Sequence, residues 1–435
     1  MACNSIYIDK PILNSIYCVF LSQNVIINMT SVIEQCQVAP SPGSAAELTL
    51  PLTYFDHMWL AFHRMRRLLF YKLPISKPDF VQNIIPSLKD SLSLTLKHYT
   101  PLAGNVACPL NFSESPELRY VRGDSVSVTF SETNMDFNYL IGDHPRNAKD
   151  FYHFVPQLAE PKDTPGVKLA PLLAIQVTLF PNLGIAIGFT NHHVAGDEAT
   201  IVGFVRAWAL LNKFGGHEQF LANEFIPFYD RSVIKDPNEL GKLTWGKWKK
   251  YKLEMCDIVT PPDKVREDAI GEETDDNVME FFGCVGDCRV QFDPPLPQSY
   301  FGNCLVGYFA RIRRANLVGK EGFTMSVELI REVIRKNMKD EEWILNGNWM
   351  KQYSTVDVNR CLSVAGSPKF DLYAADFGWG RPAKLEFVSI DSGSGISMSL
   401  SKSKDFDGDL EVGLSLSEAR MNVFAAIFAH GLSFL

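Results

Sequence analysis

Apolar positions recur along this chain with two different periods, and the switches between them lay out its elements. Val32-Ile33-Glu34-Gln35-Cys36-Gln37-Val38 reads as a strand shortly after Met29. Phe55 to Leu69 predicts a helix with a basic face of His63, Arg64, Arg66 and Arg67. Phe80 to Lys97 sets Val81, Ile84, Ile85, Leu88, Leu92 and Leu96 at the spacing of an amphipathic helix. Ser125 to Phe130 alternates as a half-buried strand does. Leu172 to Phe180 and Ile185 to Thr190 are apolar runs on either side of Pro181-Asn182-Leu183-Gly184, which predicts a hairpin. Ala199, Val202, Val205, Ala209 and Leu210 then form a helical stripe that Gly215-Gly216 ends.

The pattern breaks over residues 217–277. That stretch holds Pro227, Pro237, Pro261 and Pro262, a lysine patch, and an acidic run of Glu272, Glu273, Asp275 and Asp276, so it reads as a crossover between domains. Beyond it, Val278 to Phe292 is strand-like and Met325 to Leu345 helical. Leu372 to Ala375, Lys384 to Ile390, Ile396 to Lys402 and Leu410 to Ser417 read as strands, with Asp407-Gly408 turning the last pair, and Arg420 to His430 closes as a helix. The expected organisation is an extension over 1–28, a domain over 29–216, the crossover, and a second domain over 278–435. Two mixed α/β halves joined this way would enclose a cleft between them.

A net charge of -8 argues against a general nucleic-acid or anionic-membrane surface. The 9 cysteines have no repeating spacing, and Cys284 and Cys288 lack a matching second pair, so no zinc site is expected and the thiols fit a reducing compartment. The sequons at Asn28 and Asn111 are then chance matches. No run approaches the roughly 20 apolar residues of a membrane span. Ile16 to Leu21 is too short for a signal-peptide core. A cytoplasmic location is expected.

The chemistry concentrates in Phe189-Thr190-Asn191-His192-His193-Val194-Ala195-Gly196-Asp197-Glu198. An apolar strand ends here and a helix begins, which places the His193 imidazole where a substrate can reach it. Histidine can take and return a proton near neutral pH. Ala195 and Gly196 are small enough to leave room for a substrate. No Gly-x-Ser-x-Gly elbow and no His-Glu-x-x-His pattern supplies a nucleophile or a metal for this histidine, which leaves direct activation of a substrate hydroxyl or amine. Adjacent strand residues point to opposite faces, which speaks against His192 and His193 sharing a metal ion. Asp197 could orient His193, or turn inward into a structural ion pair; both options stay open here. Asp376-Phe377-Gly378-Trp379-Gly380 reads as a tight turn that either approaches a ligand or plugs the core with its Trp. Lys242, Lys247, Lys249, Lys250 and Lys252, with Trp245 and Trp248 between them, form either a phosphate-binding patch or a solvated helix face.

Taken together, these motifs resemble the plant BAHD acyltransferases, from Met29 to Arg266 and again from about Thr274 to the C-terminus. His193-x-x-x-Asp197 is similar to that family's HxxxD motif, Asp376 to Gly380 to its DFGWG motif, and Tyr300-Phe301-Gly302-Asn303-Cys304 to the YFGNC-type motif of the branch acting on flavonoid and phenolic glucosides. The resemblance implies an α/β, two-domain, chloramphenicol acetyltransferase-like fold with a channel at the domain interface. It implies that His193 is the general base and that acyl-CoA, of malonyl type, is a co-substrate rather than a bound cofactor. It further implies that Asp197 pairs with Arg289, that Asp376, Gly378, Trp379 and Gly380 hold a structural turn, and that Ser367, Asn303 and Tyr300 line the channel. The expected partners are acyl-CoA and a phenolic glycoside, and the expected state is a monomer without metal.

The chain departs from the family pattern at two places. Some relatives carry an arginine eight residues after the catalytic histidine to meet a malonyl carboxylate; that position here is Ile201, and the next basic residue is Arg206. Family members also carry a strand and a helix just after the crossover, whereas this chain runs from Arg266 straight into Glu267 and the acidic run. That loss predicts uncovered apolar surface in the second half. It also raises an alternative, a truncated paralogue that binds ligand or partner without turnover.

Overall fold

The computed structural model describes residues 2–8, 29–43, 46–111, 114–251, 275–337, 343–344, 346–353, 355–391, 396–405 and 408–433. Strands are numbered in chain order and fall into three sheets. The first runs β16 (Lys384–Phe387), β4 (Met65–Lys72), β12 (Gly184–Asn191), β11 (Leu173–Phe180), β7 (Val126–Thr133), β2 (Thr30–Val38). The second is a smaller sheet of β3 (Leu48–Pro51), β6 (Glu117–Tyr120), β5 (Asn105–Pro109), β10 (Val167–Pro171) and β9 (Lys162–Thr164). The third runs β14 (Leu305–Arg313), β13 (Met279–Asp287), β15 (Cys361–Ala365), β17 (Ile396–Lys402), β18 (Leu410–Leu416), β1 (Ala2–Ile8), β8 (Arg146–Asn147). The helices used below are α1 (Tyr54–His57), α2 (Ile85–His98), α3 (Glu198–Lys213), α4 (Leu240–Tyr251), α5 (Gly322–Asn337), α6 (Asn348–Tyr353) and α7 (Glu418–Leu432). Among the described residues, no helix is long and apolar enough to cross a membrane.

The first sheet owes its stability to covered faces. Every residue of β12 is buried, and side chains alternate across the pleat. Ile185, Ile187 and Phe189 join the main core with Leu69 and Tyr71 of β4, while Ala186, Leu68 and Phe70 point into a second cluster with Phe137 and Phe154. The expected hairpin forms between β11 and β12, with Asn182 in a left-handed conformation at its tip. Helices α2 and α3 pack together over the main core, where the Trp208 indole N–H meets the Leu88 carbonyl at 3.2 Å.

Several expected elements differ. Phe55 to Leu69 is a single helical turn, α1, followed by an irregular stretch and then β4, and its arginines are buried, not solvated. The strand pairs on both sides with β12 and β16, so tertiary pairing overrides the helical spacing. Leu372–Ala374 is a short 3-10 turn capped by Asp371, not a strand. The helix expected from Met325 starts at Gly322 and its described part ends at Asn337. The crossover carries α4, in which Lys242 is solvent-facing and paired with Glu239. On the same helix the Trp245 and Trp248 indoles donate inward to the carbonyls of Glu114 and His57. Asp407, Glu272, Glu273 and Lys252 lie outside the described residues, as does the junction at Arg266.

The two halves interlock. β16, from the second half, pairs antiparallel with β4 and completes the first sheet. β8, from the first half, reaches the third sheet through β1, a strand within the stretch expected to be an extension. Buried charges clasp this exchange: Arg146 with Glu386, and Lys384 with Glu411 at 3.1 Å.

The third sheet is less well covered. Among the described residues, α5 and α6 pack on β14 and α7 on β18. The inner strands keep Phe282, Leu362, Val364, Ile396 and Met398 only half-buried. Phe323 of α5 is 82% exposed and Ile427 of α7 66%.

Candidate active site

β12 ends at Asn191, and the chain turns through His193–Ala195 into α3. His192 caps this turn, its Nδ1 accepting from the Val194 N–H at 3.3 Å, and is itself fully buried. His193 points the other way and keeps partial exposure. The Trp59 indole lies flat against its ring, with centroids 3.8 Å apart and planes 9° from parallel. Phe62 meets the ring edge-on at 5.4 Å. The Nδ1 atom of His193 is buried without a hydrogen-bond partner. Burial pushes the His193 pKa down to about 3, and the positive charge of Arg67 adds to the effect. The ring is therefore neutral at physiological pH, with a free lone pair to accept a proton.

The small residues beside it serve the fold rather than the substrate. A side-chain carbon at Gly196 would come within 2.6 Å of Thr200, so glycine is needed there to let α3 start. Ala195 is fully buried. This corrects the expectation that both leave space for a ligand.

Asp197 turns away from His193. Its carboxylate accepts from Arg289 through two parallel hydrogen bonds of 2.8 and 3.0 Å, from the Cys304 N–H at 3.0 Å, and from the Thr200 N–H at the head of α3. Arg289 also donates to the Tyr300 carbonyl at 3.2 Å. Burial would lower the Arg289 pKa, but Asp197 more than reverses this and holds the guanidinium charged. Of the two options for Asp197, the inward ion pair is the one present.

Tyr300 and Asn303 are both 0% exposed, which is at odds with their expected place along a channel. Asn303 donates from Nδ2 to Asp56 at 3.0 Å and to the His193 carbonyl at 3.1 Å. Asp56 also accepts from the Asn303 N–H and from Arg231, whose Nη1 donates in turn to the Tyr300 hydroxyl at 3.1 Å. The YFGNC-like segment thus forms a polar buttress behind the histidine turn. Gly302 belongs to it because its φ of 133° is left-handed and a Cβ would strike the Arg231 guanidinium. The buried thiols of Cys288 and Cys304 lie 3.3 Å apart alongside.

The DFGWG-like turn packs on the far end of α3. Asp376 accepts from the N–H groups of Gly378 and Gly380 at 2.8 and 2.9 Å and pairs with Lys213 at 2.7 Å. Burial would raise its pKa, but these partners hold it below the usual carboxylate value. Gly378 and Gly380 have φ of 96° and 89°. Trp379 stacks on Phe377 and meets the edge of Tyr71. Ser367 follows β15, partly exposed, its hydroxyl accepting from the Lys369 N–H.

Sequence reading missed Trp59, Phe62, Asp56, Arg67 and Arg231. The signal for Asp56 was present as Thr53-x-x-Asp56, a capping box that starts α1. Arg67 sits on β4, where it pairs with Glu198 and donates to Asn191 at 3.2 Å. Among the described residues, no group of His, Cys, Asp or Glu is arranged to hold a metal ion.

Interlocked α/β halves around a neutral, partly reachable imidazole define a two-domain fold of the chloramphenicol acetyltransferase type. Solved structures agree on the fold: vinorine synthase superposes with a TM-score of 0.65 over 90% of this chain and 96% of its own, at 17% identity. F. graminearum TRI101 complexed with ethyl coenzyme A gives 0.60 over 87% and 96%, at 12% identity. The model of the Transferase family matches residues 28–260 and 263–430, and the chain belongs to this family, the BAHD acyltransferases. Phenolic glucoside malonyltransferase 1 of Nicotiana tabacum is 71% identical, covering 94% of this chain and 100% of its own. The malonyl-coenzyme:anthocyanin 5-O-glucoside-6'''-O-malonyltransferase of Salvia splendens is 41% identical over 92% and 95%. The tobacco alignment runs over 453 positions, whereas 94% of 435 residues is about 409, so about 44 positions of it have no residue from this chain.

Proposed function

We propose that this chain moves a malonyl group, or a similar short acyl group, from an acyl-CoA thioester to a sugar hydroxyl of a phenolic or flavonoid glucoside. The observation that carries this reading is a neutral, partly exposed His193 at a strand end in a chain 71% identical to a phenolic glucoside malonyltransferase.

His193 accepts the proton of the acceptor hydroxyl as that oxygen attacks the thioester carbonyl carbon. The tetrahedral intermediate collapses, the C–S bond breaks, and the imidazolium returns the proton to the departing thiolate. No acyl-enzyme forms on the protein. Holding both substrates against one imidazole supplies the proximity that makes the step effectively unimolecular. Burial keeps the ring unprotonated before it acts, and the negative charge that develops on the substrates stabilises the imidazolium as it forms. Asp197 and Arg289 hold the turn in shape, and the Asp376–Gly380 turn steadies the end of α3. Ser367 keeps its proposed place near the channel. The protein acts as a cytoplasmic monomer whose partners are the two substrates.

Neither Ile201 nor Arg206 supports a clamp for the malonyl carboxylate. Ile201 is 1% exposed in the core, and the Arg206 guanidinium lies over the Phe225 ring. The donor preference therefore rests on overall likeness.

A second reading, binding without turnover, is favoured by the shortfall of about 44 aligned positions and the half-covered third sheet. Incubation with malonyl-CoA and phenolic glucosides, following free thiol, separates the readings. The first expects acceptor-dependent release that His193→Ala abolishes. CoA binding in a thermal-shift titration without any release supports the second.

A further inference from the structure

A cavity of about 500 Å³ opens between the start of the crossover and the loop that follows β13. Small-molecule sites typically measure about 300–1,000 Å³. Phe228 and Phe292 supply aromatic surface to its walls, and Pro294 and Pro295 supply flat apolar faces. Leu296, which is buried, and the half-buried Val233 complete the apolar part. His193 and its ring neighbours Trp59 and Phe62 are not among the lining residues, so this cavity is separate from the site described above.

The walls are preformed. The Phe228 N–H donates to the Ser299 carbonyl at 2.8 Å, and the Phe228 carbonyl accepts from the Phe301 N–H at 3.0 Å. The Leu296 N–H donates to the Arg289 carbonyl at 2.9 Å, and the Phe292 ring meets Phe55 edge-on at 6.1 Å. The polar groups define the ligand's chemistry. Lys235 and Asp293 both line the cavity and both stand exposed. An ion of either sign would be drawn to one of them and repelled by the other. A phenolic hydroxyl suits both, because it accepts from an ammonium and donates to a carboxylate. The Ser232 hydroxyl, also in the lining, donates to Asp230 at 2.6 Å and keeps lone pairs for a further phenol. Aromatic and proline walls with mixed-sign polar groups therefore fit a neutral, flat, hydroxylated ring system.

We propose that the cavity between Phe228 and Phe292 is a second ligand site, which takes a neutral polyhydroxylated aromatic molecule. Its rings lie against Phe228, Phe292 and the prolines, and its hydroxyls meet Lys235, Asp293 and Ser232. This proposal does not depend on the acyl-transfer reading, because the ligand needs no sugar hydroxyl and the readouts are binding and backbone protection.

The test uses the full chain and kaempferol, a neutral hydroxylated flavonol without a sugar. Fluorescence titration is expected to show saturable binding, and hydrogen exchange is expected to slow over residues 228–235 and 289–296. Flavone, the same ring system without hydroxyls, is expected to bind at least fivefold more weakly. Lys235→Ala combined with Asp293→Ala alters only exposed side chains and is expected to erase most of the difference between the two ligands. Val233→Trp, which fills the cavity, is expected to weaken kaempferol binding at least tenfold. Absence of saturable binding, or protection confined to residues 59–63 and 193–197, overturns the proposal. So does flavone binding as tightly as kaempferol, or a double variant that keeps the full difference between them.

Discussion

Trp59 lies flat on His193, ring centroid to ring centroid at 3.8 Å, and covers one face of the imidazole. The indole shields that face from water and fixes the ring plane. Stacking of this kind contributes about 0.5–1.5 kcal/mol beyond the area it buries. Trp59→Ala is therefore expected to raise the His193 pKa from about 3 toward the ordinary histidine value and to lower acyl transfer severalfold. NMR titration of the imidazole protons checks the first effect, and thiol release the second.

Acid is expected to destabilise the protein well before carboxylates titrate. Burial lowers the pKa of His57 and His63 to about 4 and of His193 to about 3, and it holds that of His192 well below the ordinary histidine value. Above an unfolded-state value of about 6.5 these groups are neutral in both states and cost nothing. Below it the unfolded chain binds protons that the folded chain refuses, so stability falls as pH drops, by up to about 1.4 kcal/mol per pH unit for each histidine. The loss runs until the folded values near 4 and 3 are reached. Melting temperatures between pH 8 and pH 5 would show it, and a flat profile there contradicts the burial described.

Asp197 and Arg289 form a buried pair, and removing one partner strands the other charge. Asp197→Ala is expected to cost about 3–5 kcal/mol in urea unfolding. A paired replacement, Asp197→Leu with Arg289→Met, should recover much of that loss. A small cost for the single variant would show that water reaches the guanidinium.

Asp376 is proposed to act on the turn, not on the chemistry. Its carboxylate gathers two backbone N–H groups and Lys213. Asp376→Ala is expected to lower stability by about 1–3 kcal/mol. The rate at saturating substrate should change little, which steady-state kinetics below the melting temperature would reveal.

The local parts of the site were legible in sequence because they are built from neighbours. The β11–β12 hairpin, the histidine turn and α3 form within one continuous stretch, and their periods announce them. Partners brought from afar were not legible. Arg67 looked like a solvated helix residue because Glu198, which pairs with it, lies 131 positions away. Asp56 reaches Asn303 across 247 positions, so no local pattern could show that Asn303 buttresses the histidine turn instead of lining a channel. The Asp197–Arg289 pair followed from family likeness, and spacing alone had left it open. The turn at Leu372–Ala374 is capped by Asp371, a contact that outweighs the apolar composition.

The placement of β16 has one more consequence. Because the later half lends this strand to the earlier half's sheet, neither can be expressed as a self-sufficient fragment: a product ending at residue 277 would expose the naked rim of β4, beside the stretch that supports His193. Cutting the connection while the molecule stays folded is another matter, since the exchanged strand and its clasped charges would keep a nicked protein in one piece.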